Sequence, residues 1–303
     1  MDPSFVEALA AFVRTWPALV FAVVFGALWG SFFNVCIARL PRGLSVVKPG
    51  SHCFACGQPV KAYDNVPMLS YLWLRGRCRA CGVRFSARYV LVEGLMAALS
   101  GLLFWSFVME AHSVPLPIRL ARFAVFFAFT GALLVLSFID LDTQRLPDAV
   151  TLPGTVVFFL AGFGAQFAPW TDRAIGLVAG YVAVRLIADL YYYTRGREGL
   201  GLGDGKLLSM IGALLGWKAL PVVVFSASLL GVAVSLPLLL RARRTPRVET
   251  PVAPPAPAAE DDADEDDSLR YVQVPFGPFL AASAVAYLLL FDLVAPLVLA
   301  WFG

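Results

Sequence analysis

The chain has 303 residues, 59% hydrophobic and only 15% charged, with a mean hydropathy of +0.75 and a formal net charge of +3. A soluble domain carries roughly 25% charged residues, so the apolar excess is surface that must meet lipid, and an ordinary water-soluble enzyme is excluded. Seven of the 21 acidic residues fall in the run Glu260–Asp267, leaving the rest basic, which in such a chain is a topology signal before it is a nucleic-acid one.

A spanning helix needs about 20 apolar residues. In chain order the predicted spans are Ala18–Ile37, Tyr89–Val108, Leu120–Ile139, Ala149–Phe167, Ala174–Tyr193, a short Leu207–Gly216, Leu220–Leu240 and Phe276–Leu299. Met1–Pro17 has no pattern of a removable leader, and no internal repeat is seen. With eight spans, eighteen Lys and Arg fall on one side and five on the other, so the side carrying Arg39–Arg88 faces the cytoplasm and both termini face away. The expected fold is an all-α polytopic membrane protein of about eight transmembrane helices with a small cytoplasmic zinc-ribbon-like loop. Its expected divisions are a first span in 1–38, a four-cysteine zinc-binding loop in 39–88, a membrane core in 89–244, a linker in 245–270 and a last span in 271–303. Thr245–Ser268 is rich in Pro, Ala and acid and lacks core-forming residues, so it is expected to be a disordered tether.

Between the first two spans lie Cys53, Cys56, Cys78 and Cys81, with the spacing Cys-x2-Cys-x21-Cys-x2-Cys. Each pair can place two thiolates on one tight turn, and two such turns close a tetrahedron around Zn²⁺. The segment is too short for its own core, so metal would supply its folding energy. Two disulfides are the alternative, which a reducing cytoplasm disfavours. Four thiolates leave no open position, so such a metal is structural. His52 beside the quartet reads as a bystander, and Cys36, in an apolar helix, as packing.

Two helix ends carry unusual chemistry: Phe138-Ile-Asp-Leu-Asp-Thr-Gln-Arg-Leu-Pro-Asp148 after the third span, and Gly199-Leu-Gly-Leu-Gly-Asp-Gly-Lys206 before the sixth. Carboxylates near hydrocarbon are costly and invite a functional explanation. Two that share a site cannot both ionise easily, which leaves one as base and one as acid. Lys206, two residues from Asp204, could help hold one carboxylate ionised. Plainer roles compete: Asp148 as a helix cap, Asp189 paired with Arg185, and Asp142 solvated at the boundary. The glycine run lacks the spacing of a phosphate loop and no strand precedes it. The residues alone do not choose among these acids.

At this point the chain resembles a known family. Gly201-Leu-Gly-Asp204 matches the GxGD signature of intramembrane aspartic proteases. Gly30-Ser-Phe-Phe-Asn-Val-Cys-Ile-Ala-Arg-Leu-Pro41 resembles the N-terminal motif of bacterial type IV prepilin leader peptidases. So do the cysteine quartet, Asn65-Val-Pro67, Leu74-Arg-Gly-Arg-Cys78, Ser86-Ala-Arg-Tyr-Val-Leu-Val-Glu93, the Asp140–Asp148 segment and Pro275-Phe-Gly-Pro-Phe-Leu280. The motifs run in the family's order from Gly26 to about Leu288. A Phe follows the first cysteine where many members have Pro.

The resemblance implies a bifunctional enzyme of the bacterial inner membrane. It would remove the basic leader of type IV prepilins or type II secretion pseudopilins at the cytoplasmic face, then N-methylate the new terminus with S-adenosylmethionine. The catalytic pair would be Asp140 and Asp204. Relatives without the loop are peptidases only, so the loop favours both activities here, with Arg88 and Glu93 as candidates for the methyl-donor site. No nucleic-acid partner is expected. Three competing readings remain: a peptidase-only member, a transporter using boundary aspartates, and a zinc-ribbon module that only recruits a partner. Against the transporter, the acids lie at one membrane edge with no matching partner on the other side; the ribbon module leaves the Asp140 and Asp204 segments idle.

Overall fold

The computed structural model describes residues 3–196, 201–244 and 275–302. The expected tether 245–270 and the start of the glycine run, 199–200, lie outside them. The described residues form helices α1 (Pro3–Phe12), α2 (Trp16–Arg39), α3 (Leu69–Trp73), α4 (Arg88–Phe104), α5 (Leu116–Thr143), α6 (Asp148–Ala165), α7 (Trp170–Arg195), α8 (Leu202–Leu215), α9 (Ala219–Arg244), α10 (Gly277–Leu289) and α11 (Phe291–Phe302). Among the described residues extended pairing is limited to two isolated bridges in the cysteine loop.

Six helices, α2, α4–α7 and α9, are long and apolar enough to cross a membrane. They account for the expected spans except the sixth and the last. Instead of one span over Phe276–Leu299, the chain breaks at Leu290 (φ −102°, ψ 17°) into α10 and α11. The break puts Asp292 in the first turn of α11, where the helix dipole favours an acid, and within electrostatic reach of Arg122 on α5. The ten-residue α1 was not expected, because it is far shorter than a span. Its Val6, Leu9 and Ala10 pack with Val13, Phe104 and Leu116 at the end of the bundle where α5 begins.

Burial separates the helices by role. Of its most apolar stretch α5 hides 61%, whereas α7 hides 17%; α5 is therefore the central post and α7 a lipid-facing wall. On one side of α5, the α2–α4 pair docks through Phe33, Cys36, Val92, Met96, Phe127 and Ile139. On the other, α6 to α10 form the main core around α8.

From Leu207 onward helix α8 is apolar on nearly every side, and every residue from Leu207 to Gly216 is buried. Such a helix must be enclosed by others. Fourteen residues rise only about 21 Å, less than the roughly 30 Å hydrocarbon thickness, but the Trp217 amide just past its end donates to the Asp172 carbonyl at 3.0 Å, so α8 runs to the end of the bundle where α7 begins. Its approach to α7 is close because glycines line the seam. A side chain at Gly180 would collide with the Leu208 carbonyl, and one at Gly176 with that of Gly212. Ser209 Oγ donates to the Leu177 carbonyl at 2.7 Å across the same seam.

Candidate functional site

Asp140 is expected just past the third span, but α5 continues one turn further. The amide of Gln144, in the left-handed region, closes that turn on the Asp140 carbonyl at 2.8 Å. Asp140 therefore lies inside the last turn and is buried, 6% exposed. Its Oδ2 accepts the backbone N–H of Gly277 at 3.0 Å. Gly277 is the first residue of α10, so this is an otherwise unpaired amide at a helix N-terminus, a natural partner for a carboxylate. A Cβ at Gly277 would lie 2.6 Å from Oδ2, so only glycine lets the amide come this close.

Asp204 is likewise inside its helix rather than ahead of it, in the first turn of α8. Gly203 lies against Leu146 and Gly205 against Val184 and Tyr181, so the glycines on either side let this turn sink into the bundle. Burial first, and the charge of Asp140 second, push the Asp204 carboxyl up to about 6. The two acids thus interact at the end of the bundle where α5 finishes and α6, α8 and α10 begin. Carboxyls coupled in this way do not lose their protons independently, which lets one serve as acid while the other is base.

The neighbouring charges have other partners. Asp142 takes a forked pair from Arg88 Nη1 at 2.6 and 2.8 Å. Arg88 also donates to the Phe138 carbonyl at 3.0 Å and lies over the Phe138 ring. Lys206 does not support Asp204: its Nζ reaches Asp148 Oδ1 at 2.5 Å. Residues two apart on a helix face different ways, which turns Lys206 outward while Asp204 points in. Asp148 is not the cap itself, since Pro147 occupies that position; it opens α6 and binds Lys206. Asp189 pairs with Arg185 at 3.0 Å as the spacing predicts. Geometry thus separates Asp140 and Asp204 from the other acids, a choice that composition does not make. The Gly277 amide has a sequence signal, the Pro275–Leu280 motif, but nothing in that motif alone tells which residue it serves.

The four thiols of Cys53, Cys56, Cys78 and Cys81 lie within 4.8 Å of one another. Cys53 Sγ and Cys81 Sγ are 3.8 Å apart, too far for a disulfide. Four sulfurs about 2.3 Å from one ion sit about 3.8 Å from each other, so the quartet suits a tetrahedral metal of the Zn²⁺ kind. The two halves repeat one design that the sequence reading overlooks. Both read Cys-x-Ala-Cys-Gly, and the closing glycines Gly57 and Gly82 take φ of 69° and 73°. In each, the glycine amide returns to the first cysteine's carbonyl at 2.9 Å. Backbone amides of Cys56 and Ala55 hold the Cys53 thiol down to about 7, while, against the pull of the Val83 amide, burial and the other three thiols push the Cys81 thiol up to about 11, so the four share charge rather than ionising independently. His52 bonds the Gly50 carbonyl and stands outside the cluster.

The loop is pinned to the bundle by Glu93 of α4. It is buried, and its Oε2 accepts the Met68 amide at 2.7 Å just ahead of α3. Gly30 of α2 packs on its backbone. Beyond that anchor, Tyr63, Asp64, Leu69, Trp73 and Arg79 line an open cleft of about 330 Å³. Arg79 grips Asp64 with two nitrogens at 2.6 to 3.1 Å, which holds the Asp64 carboxyl below its usual range.

Known proteins resemble the chain over most of its length. Residues 24–107 match the bacterial peptidase A24 N-terminal domain, and residues 126–236 match the type IV leader peptidase family. A prepilin leader peptidase/N-methyltransferase of Pseudomonas putida is 35% identical over 90% of this chain and 91% of its own. One from Burkholderia pseudomallei (strain K96243) is 37% identical over 92% and 88%. One from Aeromonas salmonicida is 38% identical over 74% and 83%. No solved structure matches the chain.

Proposed function

Because the chain belongs to the type IV leader peptidase family, we propose that Asp140 and Asp204 are the two carboxylates with which it cuts prepilin leaders. The activity is that of a prepilin leader peptidase and N-methyltransferase in a multi-pass membrane protein. The substrates are type IV prepilins or type II secretion pseudopilins, processed at the cytoplasmic face of the bacterial inner membrane. What carries this reading is the convergence of a buried Asp140, gripped by the Gly277 amide, with an Asp204 that feels its charge.

The substrate's apolar helix lies among the spans, and its scissile bond meets the pair where the leader leaves the membrane. Asp140, which accepts a helix N-terminal amide, is the base and takes a proton from water. The hydroxyl so formed attacks the carbonyl carbon. Asp204 donates a hydrogen bond to the carbonyl oxygen, then passes its proton to the leaving nitrogen as the C–N bond breaks. Purified protein incubated with a prepilin, with products weighed by mass spectrometry, reports cleavage and methylation together. Complete leader removal by Asp204→Asn would sink the assignment.

For the second activity, Cys53, Cys56, Cys78 and Cys81 would hold structural Zn²⁺ and keep the loop folded. S-adenosylmethionine, when bound, supplies the methyl group for the new amine. Arg88 and Glu93, both already engaged, act by positioning the loop against α4 and α5. The cleft of Tyr63, Asp64 and Trp73 offers aromatic walls and a carboxylate, chemistry suited to a nucleoside. Quenching of Trp73 fluorescence by S-adenosylhomocysteine, lost in Trp73→Phe with binding retained by calorimetry, is the expected result. Binding with no effect on Trp73 emission would move the donor elsewhere.

A further inference from the structure

Arg173, in the first turn of α7, is 2% exposed yet carries a full charge at the end of the bundle remote from Asp140. Its guanidinium is wedged between the rings of Phe159 and Phe163, 5.4 and 4.4 Å from their centres. Nη1 donates to the Phe159 carbonyl at 2.5 Å, and Nε has no partner. Among the described residues no carboxylate pairs with it, because the adjacent Asp172 is turned to Lys218. The carbonyl end of α6 offsets part of the charge, but Arg122 already serves the last two carbonyls there, those of Ala165 and Gln166. A buried guanidinium short of hydrogen bonds and of a counter-charge is costly unless a ligand completes it. Gly162 keeps room for it, since a side chain there would overlap the guanidinium.

Arg173 lines a cavity of about 370 Å³ together with Phe163, Gln166, Phe167 and Ala168. The surroundings specify the occupant. The helices that meet here, α6 and α7, are among the least buried of the spans, and Leu160, Phe163 and Trp170 beside the cavity are over half exposed. That surface faces acyl chains, and a tryptophan at a helix start marks the headgroup level. We propose that this cavity is a phospholipid site, in which Arg173 takes the headgroup phosphodiester and the acyl chains run along Leu160 and Phe163. The site is independent of the cleavage reading, since it touches neither aspartate.

Native mass spectrometry of the delipidated full-length protein, titrated with phosphatidylglycerol, tests it. Diacylglycerol, which lacks the phosphate, and inorganic phosphate are the comparison arms. Wild type should retain one phosphatidylglycerol at concentrations at least tenfold below those needed by Arg173→Gln. It should show no such preference for diacylglycerol, and millimolar inorganic phosphate should not displace the lipid. Ala168→Phe fills the cavity from the α6–α7 loop and leaves every Arg173 bond in place, so it carries the test if the arginine variant fails to fold. Phosphatidylglycerol bound equally by wild type and Ala168→Phe would overturn the proposal. So would displacement by inorganic phosphate, which would make the site one for a free anion.

Discussion

Asp140 and Asp142 are the same residue type two positions apart, and opposite in fate. One is buried under the Gly277 amide and the other lies in the open fork of Arg88. Substitution should therefore separate them. Asp140→Asn and Asp204→Asn should each lower the cleavage rate by at least about 100-fold, the usual scale for losing an acid or base, while methylation of a pre-cleaved peptide continues. Asp142→Asn and Lys206→Met should cleave within about threefold of wild type, because exposed ion pairs are worth about 1 kcal/mol or less. The coupling has its own sign. An anionic neighbour raises a carboxyl pKa, so Asp140→Asn should bring Asp204 down from about 6, read by carboxyl ¹³C shifts across pH. An unmoved Asp204 titration would mean that the two acids do not share a site. Choosing Asp140 from the sequence required motif context, because depth in a membrane is not written in any single residue.

At the scale of elements, the cysteine loop was the most legible part. Four thiols at fixed spacing leave few arrangements, and the observed quartet is one of them. What escaped was the reason the two halves match, since a glycine at positive φ is visible only in the backbone. Removing metal with a chelator should expose 39–88 to protease while helical content hardly changes, and methylation should fall before cleavage does. Loss of cleavage in step with methylation would show that the loop also supports the aspartates. Helix α8 was expected short but placed too late in the chain. Its first turn holds Asp204, and glycines rather than apolar residues dominate there, so hydropathy alone misses it. Gly180→Leu should force α7 off the Leu208 carbonyl and lower Tm by several degrees, with loss of both activities through folding.

For the molecule as a whole, hydropathy located the six long spans. It did not give the packing order, in which α5 is the post shared by the loop-bearing α2–α4 pair and the α6–α10 core. That order predicts separable damage. Changes at the α2–α4 contact with α5, such as Gly131→Leu against Phe33, should disturb the loop-bearing half first and lower methylation before cleavage. Changes in the α6–α8 contact, such as Gly154→Leu against Met210, should reach cleavage first. Product masses from one reaction distinguish the two. Equal loss of both activities in each variant would mean that the halves fold as one unit.

The amide that grips Asp140 belongs to residue 277, which is 137 positions later in the chain. During synthesis the aspartate-bearing helices enter the membrane long before that amide has been translated. A ribosome stalled ahead of Pro275 would leave a chain already inserted, with its loop able to bind metal, but with Asp140 unclasped. If that clasp is needed for cleavage, a chain ending at 244 should be inactive toward prepilins, and a separately expressed 270–303 segment should switch it on.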